Sequence, residues 1–244
     1  MINQDFSDSV IADNYRRIRE DIARACARVG RDPAEVTVVA VSKTVGLEKV
    51  ADAIEAGIHE FGENRTNLFN EKHDAFPGER WHFIGTIQTN KIKEFVGRAA
   101  LVHSVASERA LRGIAKRAQA IGATQQLLLE VNVSGEPSKD GVAPVALPDI
   151  LSVASGLEGI EVCGLMTMAP QGDQVAARLA FRGLRELRDR YAPLFEMTGR
   201  IRLRELSMGM SEDYSLAVEE GATIVRIGRS VWADEVRVGQ HFPE

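Results

Sequence analysis

Short apolar runs rich in β-branched residues alternate with helical patterns along most of this 244-residue chain. A run of this kind between helices is typical of a buried parallel strand, so the alternation favours an α/β fold. Eight runs in this length predict a closed (β/α)8 barrel of the TIM type rather than an open sheet. The predicted strands are 36–44, 59–63, 81–85, 100–105, 126–133, 160–168, 201–207 and 223–227, and the predicted helices include 47–56, 108–121, 148–155, 175–191 and 214–220.

One further helix is predicted before the barrel, over residues 8–29. Apolar residues recur there at steps of three or four, and Gly30 and Pro33 follow as stop signals. No linker or low-complexity segment is visible. We therefore expect a single domain over 1–244, with the additional N-terminal helix and a barrel over about 36–232. The stripe consists of Ile11, Tyr15, Ile18, Ile22, Cys26 and Val29.

Composition narrows the functional classes. A net charge of −5 argues against a nucleic-acid partner, because phosphate backbones are bound mainly by clustered Lys and Arg. Cys26 and Cys163 lie far apart without the spacing of a metal site, so we expect no metal and a reducing compartment. The sequence has no signal-peptide pattern and no membrane-spanning stretch, which predicts a soluble cytoplasmic protein.

Lys43 closes the first predicted strand, Val38-Val39-Ala40-Val41-Ser42-Lys43-Thr44. Barrel enzymes place their chemistry at the C-terminal ends of strands, and an amine there can form a Schiff base. The alternative is a lysine that extends from a strand end into solvent. If Lys43 points into the barrel mouth, strand alternation predicts that Val39 and Val41 also face inward.

Arg226 lies in the last apolar strand and shares a face with Ile224 and Gly228. A buried guanidinium is costly unless an acceptor is present, so its surroundings must be polar. One alternative is a salt bridge to Glu130, which the alternation of the fifth strand also places on an inner face.

Two loops rich in small residues follow the seventh and eighth strands, at 207–211 and 228–230. Barrels frequently bind phosphate with these two loops, because small residues let backbone N–H groups approach an anion. A reactive lysine, a phosphate site and an inward arginine together fit pyridoxal 5′-phosphate. An arginine facing the pyridine nitrogen would keep that nitrogen unprotonated and weaken the ring as an electron sink.

The sequence resembles the pyridoxal phosphate homeostasis proteins, whose barrel is similar to the N-terminal domain of alanine racemase. The resemblance runs from about Val38 to Val231. Its motifs are AVSKT at Ala40, GENR at Gly62, WHFIG at Trp81 followed by Gln88, Asn90, Lys91 and Lys93, HSV at His103, VNVSGEPSKDG at Val131, GLMTMAP at Gly164, LSMGMSEDYSLA at Leu206 and GATIVRIG at Gly221.

This resemblance implies the roles of the site residues. Lys43 matches the Schiff-base lysine, Arg226 the arginine facing the pyridine nitrogen, and Asn64 a cofactor-side position. Ser207, Gly228 and the residues after Gly228 match the phosphate cradle, so Arg229 and Ser230 are included in the site. The sequence departs from the family pattern at Thr86, which replaces a usual His, at Ala106, which replaces Asp, at Arg229, which replaces Ser or Thr, and at VWAD after Ser230.

The resemblance implies a binder of pyridoxal phosphate that acts in vitamin B6 homeostasis, with apoenzymes and amino acids as transient partners. It assigns no catalytic residue, and we expect a monomer. The alternatives are an amino-acid racemase or decarboxylase of the same fold and a class I aldolase. Racemases of this fold take a second acid/base group from a β-domain after the barrel, which we expect to be absent because the sequence ends at Glu244.

Other polar or sulfur-containing residues are interpreted as structural. His82 is expected to be a satisfied structural histidine, and Asp213 to suit the N-terminal dipole of a helix. Four methionines are expected to pack around a flat ring: Met166, Met168, Met208 and Met210.

Overall fold

A computed structural model describes residues 9–136 and 140–233. Its strands are β1 Thr37–Val41, β2 Glu60–Glu63, β3 Arg80–Phe83, β4 Leu101–Val105, β5 Gln125–Glu130, β6 Ile160–Met166, β7 Ile201–Ser207 and β8 Ile224–Ile227. Its α-helices are α1 Val10–Val29, α2 Leu47–Glu55, α3 Thr66–Ala75, α4 Glu108–Ala120, α5 Leu147–Ser155, α6 Gln174–Phe195, α7 Tyr214–Glu219 and α8 Arg229–Trp232. Short 3-10 helices span Pro33–Glu35, Thr89–Glu94, Pro144–Ala146 and Glu196–Thr198.

The eight strands form a closed parallel barrel in sequence order, as the sequence predicts. Closure is made by β1 and β8, where Val39 lies opposite Arg226. Helix α3 is the main element that the sequence analysis leaves out. Only Phe69 and Lys72 are buried on it, so it has no apolar stripe to detect.

The N-terminal helix α1 is present and begins at Val10, and residue 8 of the predicted range lies outside the described residues. The Ser9 side chain accepts the N–H of Ala12, and Gly30 ends the helix in the left-handed region at φ 69°. Asn14 donates to the carbonyl oxygens of Val231 and Ala233, at 3.2 and 3.0 Å. The helix therefore holds the last described turn of the chain.

The apolar core has two parts, as the barrel architecture requires. A large shell fills the space between strands and helices. A smaller cluster lies inside the barrel and contains Val39, Leu101, Leu128, Met166 and Ile224. Since side chains alternate along a strand, residues two positions away from these five on the same strand also face inward.

In the described part of the chain, no helix is long and apolar enough to cross a membrane. Both cysteines are free there. Cys26 is buried in α1 and Cys163 is half-buried in β6, where burial raises the pKa of its thiol to about 12. A thiol of this kind is unreactive at neutral pH.

Candidate functional site

A cavity of about 630 Å³ opens at the C-terminal end of the barrel, which we call the mouth cavity. Its size falls within the roughly 300–1,000 Å³ that small-molecule sites occupy. Strand ends, the loop before α6 and the loops after β7 and β8 form its walls. Among its lining residues are Val41, Lys43, Asn64, Thr86, Met168, Asp173, Met210, Ser211, Glu212, Asp213, Arg226, Gly228 and Arg229.

Lys43 lies two residues beyond the end of β1 and lines this cavity. Val39 below it is part of the inner cluster and Val41 lines the cavity, so the predicted inward row is confirmed. The Lys43 side chain is exposed and has no hydrogen bond or ion pair with another described residue. Its amine is therefore free to meet a carbonyl group that enters the mouth.

The backbone beside Lys43 is held by a buried ion pair that the sequence analysis misses. Lys72 on α3 forms an ion pair with Glu63, and the two side chains are only 2% and 0% exposed. Lys72 also donates to the carbonyl oxygen of Ser42 at 2.7 Å, while the Ser42 hydroxyl donates to Glu63 at 3.0 Å. Glu63 further accepts the N–H of Asn64 at 3.2 Å. One pair thus fixes the backbone next to both Lys43 and Asn64.

Arg226 is 6% exposed and lines the floor of the mouth cavity. Its guanidinium donates to Ser207 Oγ at 2.6 Å and to the carbonyl oxygen of Thr167 at 3.0 Å. Burial lowers its pKa to about 10, against the influence of Glu130 and Asp213, so the group stays cationic at neutral pH. These two bonds aim a charged donor into the mouth.

Glu130 faces the barrel interior, but it forms no ion pair with Arg226, which rules out the alternative that the sequence left open. Burial, reinforced by Asp140, raises the pKa of the Glu130 carboxyl to about 7 although Arg226 opposes the shift. At neutral pH this carboxyl is therefore partly protonated.

The two predicted phosphate loops meet where Ser211 and Ser230 make a hydrogen bond, while Ser207 lies deeper. Ser207 is fully buried below the mouth, and its hydroxyl binds Arg226 and His103 instead. Ser211 occupies the mouth in its place, and its Oγ accepts the N–H of Ser230 at 3.4 Å. Ser211 therefore lines the cavity, whereas Ser207 lies below it.

The charged residues of these two loops make local contacts. The exposed Arg229 forms an ion pair with Glu212. Asp213 accepts the N–H of Met210 at 2.6 Å and so fixes the loop before α7, rather than capping the helix with its side chain.

Asn64 and Thr86 lie side by side at the opposite wall of the mouth, and both are exposed. Gly85 allows their strands to approach, because a Cβ there would lie 2.0 Å from the carbonyl oxygen of Asn64. Thr86 donates to Asp140 at 3.2 Å. The wall of the site is therefore polar without a histidine.

His82 is buried and hydrogen-bonded to Glu60 and His103, which agrees with its expected structural role. The methionines behave less uniformly than predicted. Met168 and Met210 line the mouth, Met166 lies deep inside the barrel, and Met208 packs in the outer shell. The described residues contain no cluster of side chains suited to a metal ion.

One local feature, the free space at Gly228, supports a fit of the residues present to pyridoxal phosphate. A Cβ at Gly228 would approach no protein atom closer than 3.5 Å, so the protein itself does not require glycine there. Gly228 nevertheless lines the mouth cavity beside Lys43 and Arg226, where a side chain would fill the cradle. Its absence leaves room for a ligand between the amine and the guanidinium.

Comparisons with known proteins agree with this geometry. The family model for the alanine racemase N-terminal domain matches residues 11–235. A pyridoxal phosphate homeostasis protein of Aquifex aeolicus is 39% identical over 221 residues, which cover 89% of this chain and 95% of the relative. The structure of PipY from Synechococcus elongatus with pyridoxal phosphate bound has 32% identity and a TM-score of 0.74, covering 87% of this chain and 100% of that one.

A more distant likeness concerns the fold alone. Alanine racemase from Corynebacterium glutamicum has 13% identity and a TM-score of 0.69, over 95% of this chain and 63% of that one. Taken with the matches above, the chain belongs to the pyridoxal phosphate homeostasis protein family, on the barrel of the alanine racemase N-terminal domain.

Proposed function

We propose that this protein binds pyridoxal 5′-phosphate through a Schiff base on Lys43 and holds it in reserve for vitamin B6 homeostasis, without catalytic turnover. The observation that carries the proposal is that the exposed amine of Lys43 and the buried guanidinium of Arg226 both line one cavity of about 630 Å³. When bound, the cofactor would supply an electrophilic carbonyl carbon and an electron-withdrawing ring.

The site residues then have the following roles. Lys43 provides the nucleophilic amine, and Arg226 donates a hydrogen bond to the ring nitrogen. Gly228, Arg229, Ser230 and their neighbour Ser211 form the cradle for the phosphate, with backbone N–H groups as the donors. Asn64 contacts the cofactor from the opposite wall.

Retention without turnover is supported by the chemistry of these groups. Arg226 remains a cation that can donate a hydrogen bond but gives up no proton at neutral pH, so the ring nitrogen stays unprotonated. The mouth carboxylates make local contacts: Asp173 accepts the N–H of Ala176, Asp213 accepts that of Met210, and Glu212 pairs with Arg229. We propose no second acid/base group opposite Lys43, which racemisation needs.

The first experiment is reduction of the loaded protein with borohydride, followed by mass spectrometry. We expect a visible absorption band that borohydride bleaches and a pyridoxyl adduct on Lys43, which is lost in Lys43→Ala. Lys91→Ala is the matched control, because Lys91 is a nearby half-buried lysine paired with Glu94. An adduct that persists in Lys43→Ala would refute the proposal, and the absence of any band would favour an aldolase.

A second experiment addresses turnover. Exchange of the α-proton of L- and D-amino acids in heavy water, followed by NMR and chiral analysis, should give only background rates in the loaded protein. General acid/base groups commonly contribute about 10² to 10⁴ in rate, so lacking one leaves little chemistry. Sustained exchange over many turnovers that vanishes in Lys43→Ala would establish a racemase-like enzyme instead.

The proposal extends to location and partners. We propose a cytoplasmic monomer that passes its cofactor to apoenzymes and exchanges it with free amino acids. The exposure of Lys43, Asn64 and Thr86 supports this, since an incoming amine can reach the attachment point from solvent. Light scattering of the loaded protein tests whether it is a monomer. Transfer of the cofactor to an apoenzyme across a dialysis membrane tests whether the protein releases it.

A further inference from the structure

Four hydrogen bonds connect the bottom of the barrel to the floor of the mouth cavity. Glu60 Oε2 lies 2.6 Å from His82 Nε2, and His82 Nδ1 lies 2.8 Å from His103 Nε2. His103 Nδ1 lies 2.9 Å from Ser207 Oγ, which lies 2.6 Å from Arg226 Nη1. We call this sequence of side chains the axial chain. It joins one residue from each of five strands.

One arrangement of hydrogens gives every group of the axial chain a partner, starting from Arg226. An arginine can only donate, so Ser207 Oγ accepts from it, and the hydroxyl hydrogen can be donated to His103 Nδ1. His103 then carries its hydrogen on Nε2 and donates to His82 Nδ1. By the same rule His82 carries its hydrogen on Nε2 and donates to Glu60. In this arrangement each imidazole makes one donor and one acceptor bond.

The charges of the described groups support this direction. Burial, with the neighbouring His82 and Arg226 adding to it, holds the pKa of His103 well below its usual value, so this ring stays neutral. Burial raises the pKa of the Glu60 carboxyl, but the hydrogen bond from His82 and the charge of Arg80 outweigh it and leave the pKa lowered. The axial chain thus runs from a cation to an anion.

The Glu60 end is open to solvent, unlike the centre of the axial chain. The Glu60 side chain is 26% exposed and borders a cleft of about 240 Å³ at the bottom of the barrel. Arg80 and Glu205 line the same cleft. Solvent here stabilises the ionised acceptor, whereas His103 and Ser207 are completely buried.

We infer that His103, His82 and Glu60 are positioning residues that act on the cofactor through Ser207 and Arg226. Resting on the proposed function, the inference is that they fix the tautomer of each ring and aim Arg226 at the ring nitrogen. Any break in the axial chain lets Ser207 rotate its hydroxyl and frees Arg226 to turn. Supporting groups of this kind typically change binding or activity on the order of tenfold or more.

The first test uses the cofactor-free protein and is independent of the proposed function. Long-range ¹H–¹⁵N correlation of the imidazole nitrogens at pH 7 should show His82 and His103 both neutral with hydrogen on Nε2. An imidazolium, or hydrogen on Nδ1 in either ring, would overturn the inference.

The second test uses the visible spectrum and the affinity of the loaded protein. His103→Phe and Glu60→Gln should move the absorption band in the same direction as Arg226→Gln, and His103→Phe should weaken binding on the order of tenfold. Glu60→Asp, which keeps an anionic acceptor, should restore the band. Glu205→Gln is the matched control, because Glu205 lines the same cleft but binds Thr223 instead of the axial chain.

The outcomes separate the two proposals. If no adduct forms on Lys43 in the unaltered protein, the proposed function fails while the NMR result still decides the direction of the axial chain. If the adduct forms but Glu60→Gln and a folded His103→Phe keep the original band and affinity, the inference is refuted. If His103→Phe does not fold, Glu60→Gln alone decides, since its near-isosteric change lies at a solvent-exposed end.

Discussion

Trp232 donates its indole N–H to the carbonyl oxygen of Val41, across a distance of 2.7 Å. Val41 is the last residue of the strand that leads to Lys43, and Trp232 ends the helix that follows the β8 loop. The two halves of the candidate site, amine and phosphate cradle, are therefore joined by a side chain outside the cavity. This bond makes the position of one half depend on the other.

The first prediction concerns this bond. Trp232→Phe should destabilise the protein by about 1–3 kcal/mol, because it removes a buried donor from a backbone carbonyl, and it should also weaken cofactor binding. Urea unfolding and cofactor titration measure the two effects. Trp81→Phe is the matched control, since Trp81 donates to the carbonyl oxygen of Phe76 away from the mouth. Equal loss of affinity in both variants would contradict the prediction.

The second prediction concerns the buried pair beneath Lys43. Lys72→Met should cost about 3–5 kcal/mol, because it leaves Glu63 charged and unpaired in the interior. Adding Glu63→Gln should recover part of the loss, since no buried charge then remains. Thermal or urea unfolding provides the measurement.

A surface pair supplies the control for this prediction. Arg112 and Glu108 form an exposed ion pair on α4, and Arg112→Met should change stability by less than about 1 kcal/mol. If Lys72→Met had an effect as small as Arg112→Met, the buried pair would not hold the strand end as described.

The third prediction is a pH dependence. The folded-state pKa of Glu130 is raised to about 7, so the folded protein binds this proton more tightly than the unfolded chain does. The stability from this group is present at pH 4 and is lost as the pH rises through 7. Glu130→Gln should therefore gain stability over the unaltered protein between pH 5 and 8, by up to about 3 kcal/mol at the upper end.

Unfolding by urea at several pH values, without cofactor, measures this gain. Glu158→Gln serves as the control, because Glu158 is an exposed carboxylate on the surface. A gain that is the same at pH 5 and pH 8 would show that the ionisation of Glu130 is not its cause.

The fourth prediction concerns the cradle. Gly228→Ala should leave the fold and stability nearly unchanged, because its Cβ meets only ordinary contacts at 3.5 Å or more. Overpacking against a bound ligand costs about 1–3 kcal/mol, so affinity should fall on the order of tenfold. Gly46→Ala is the control, as nothing lies within 4 Å of a Cβ there and it does not line the cavity. Unchanged affinity in Gly228→Ala would place the phosphate elsewhere.

The parts of the molecule that depend on local pattern were predictable from sequence. All eight strands lie where the sequence predicts them, and the inward direction of Val39, Lys43 and Arg226 follows from alternation along a strand. Helix α3 was missed because its buried face includes Lys72, a residue type that periodicity treats as exposed. Because an ion pair takes the place of apolar contacts here, the apolar periodicity of a buried helix face is missing.

The partners of the inward residues were less predictable, because they depend on how distant strands align when the barrel closes. Alternation puts Ser207 and Arg226 on inner faces, but it does not say that the Ser207 hydroxyl meets Arg226 and His103 below the mouth. The contact between Ser211 and Ser230 likewise depends on how the loops after β7 and β8 come together, which local pattern does not give.

The contacts of Asn14 with Val231 and Ala233 have a consequence for the order of folding. They span 217 and 219 positions of sequence, and the pairing of β1 with β8 closes the barrel at the same seam. Contacts of such separation carry the largest loop-closure entropy and are expected to form late. Because Lys43 and Gly228 follow the two strands of this seam and line one cavity, the cofactor site is assembled only when the chain has closed on itself. Binding would then distinguish a completed barrel from a partly folded one.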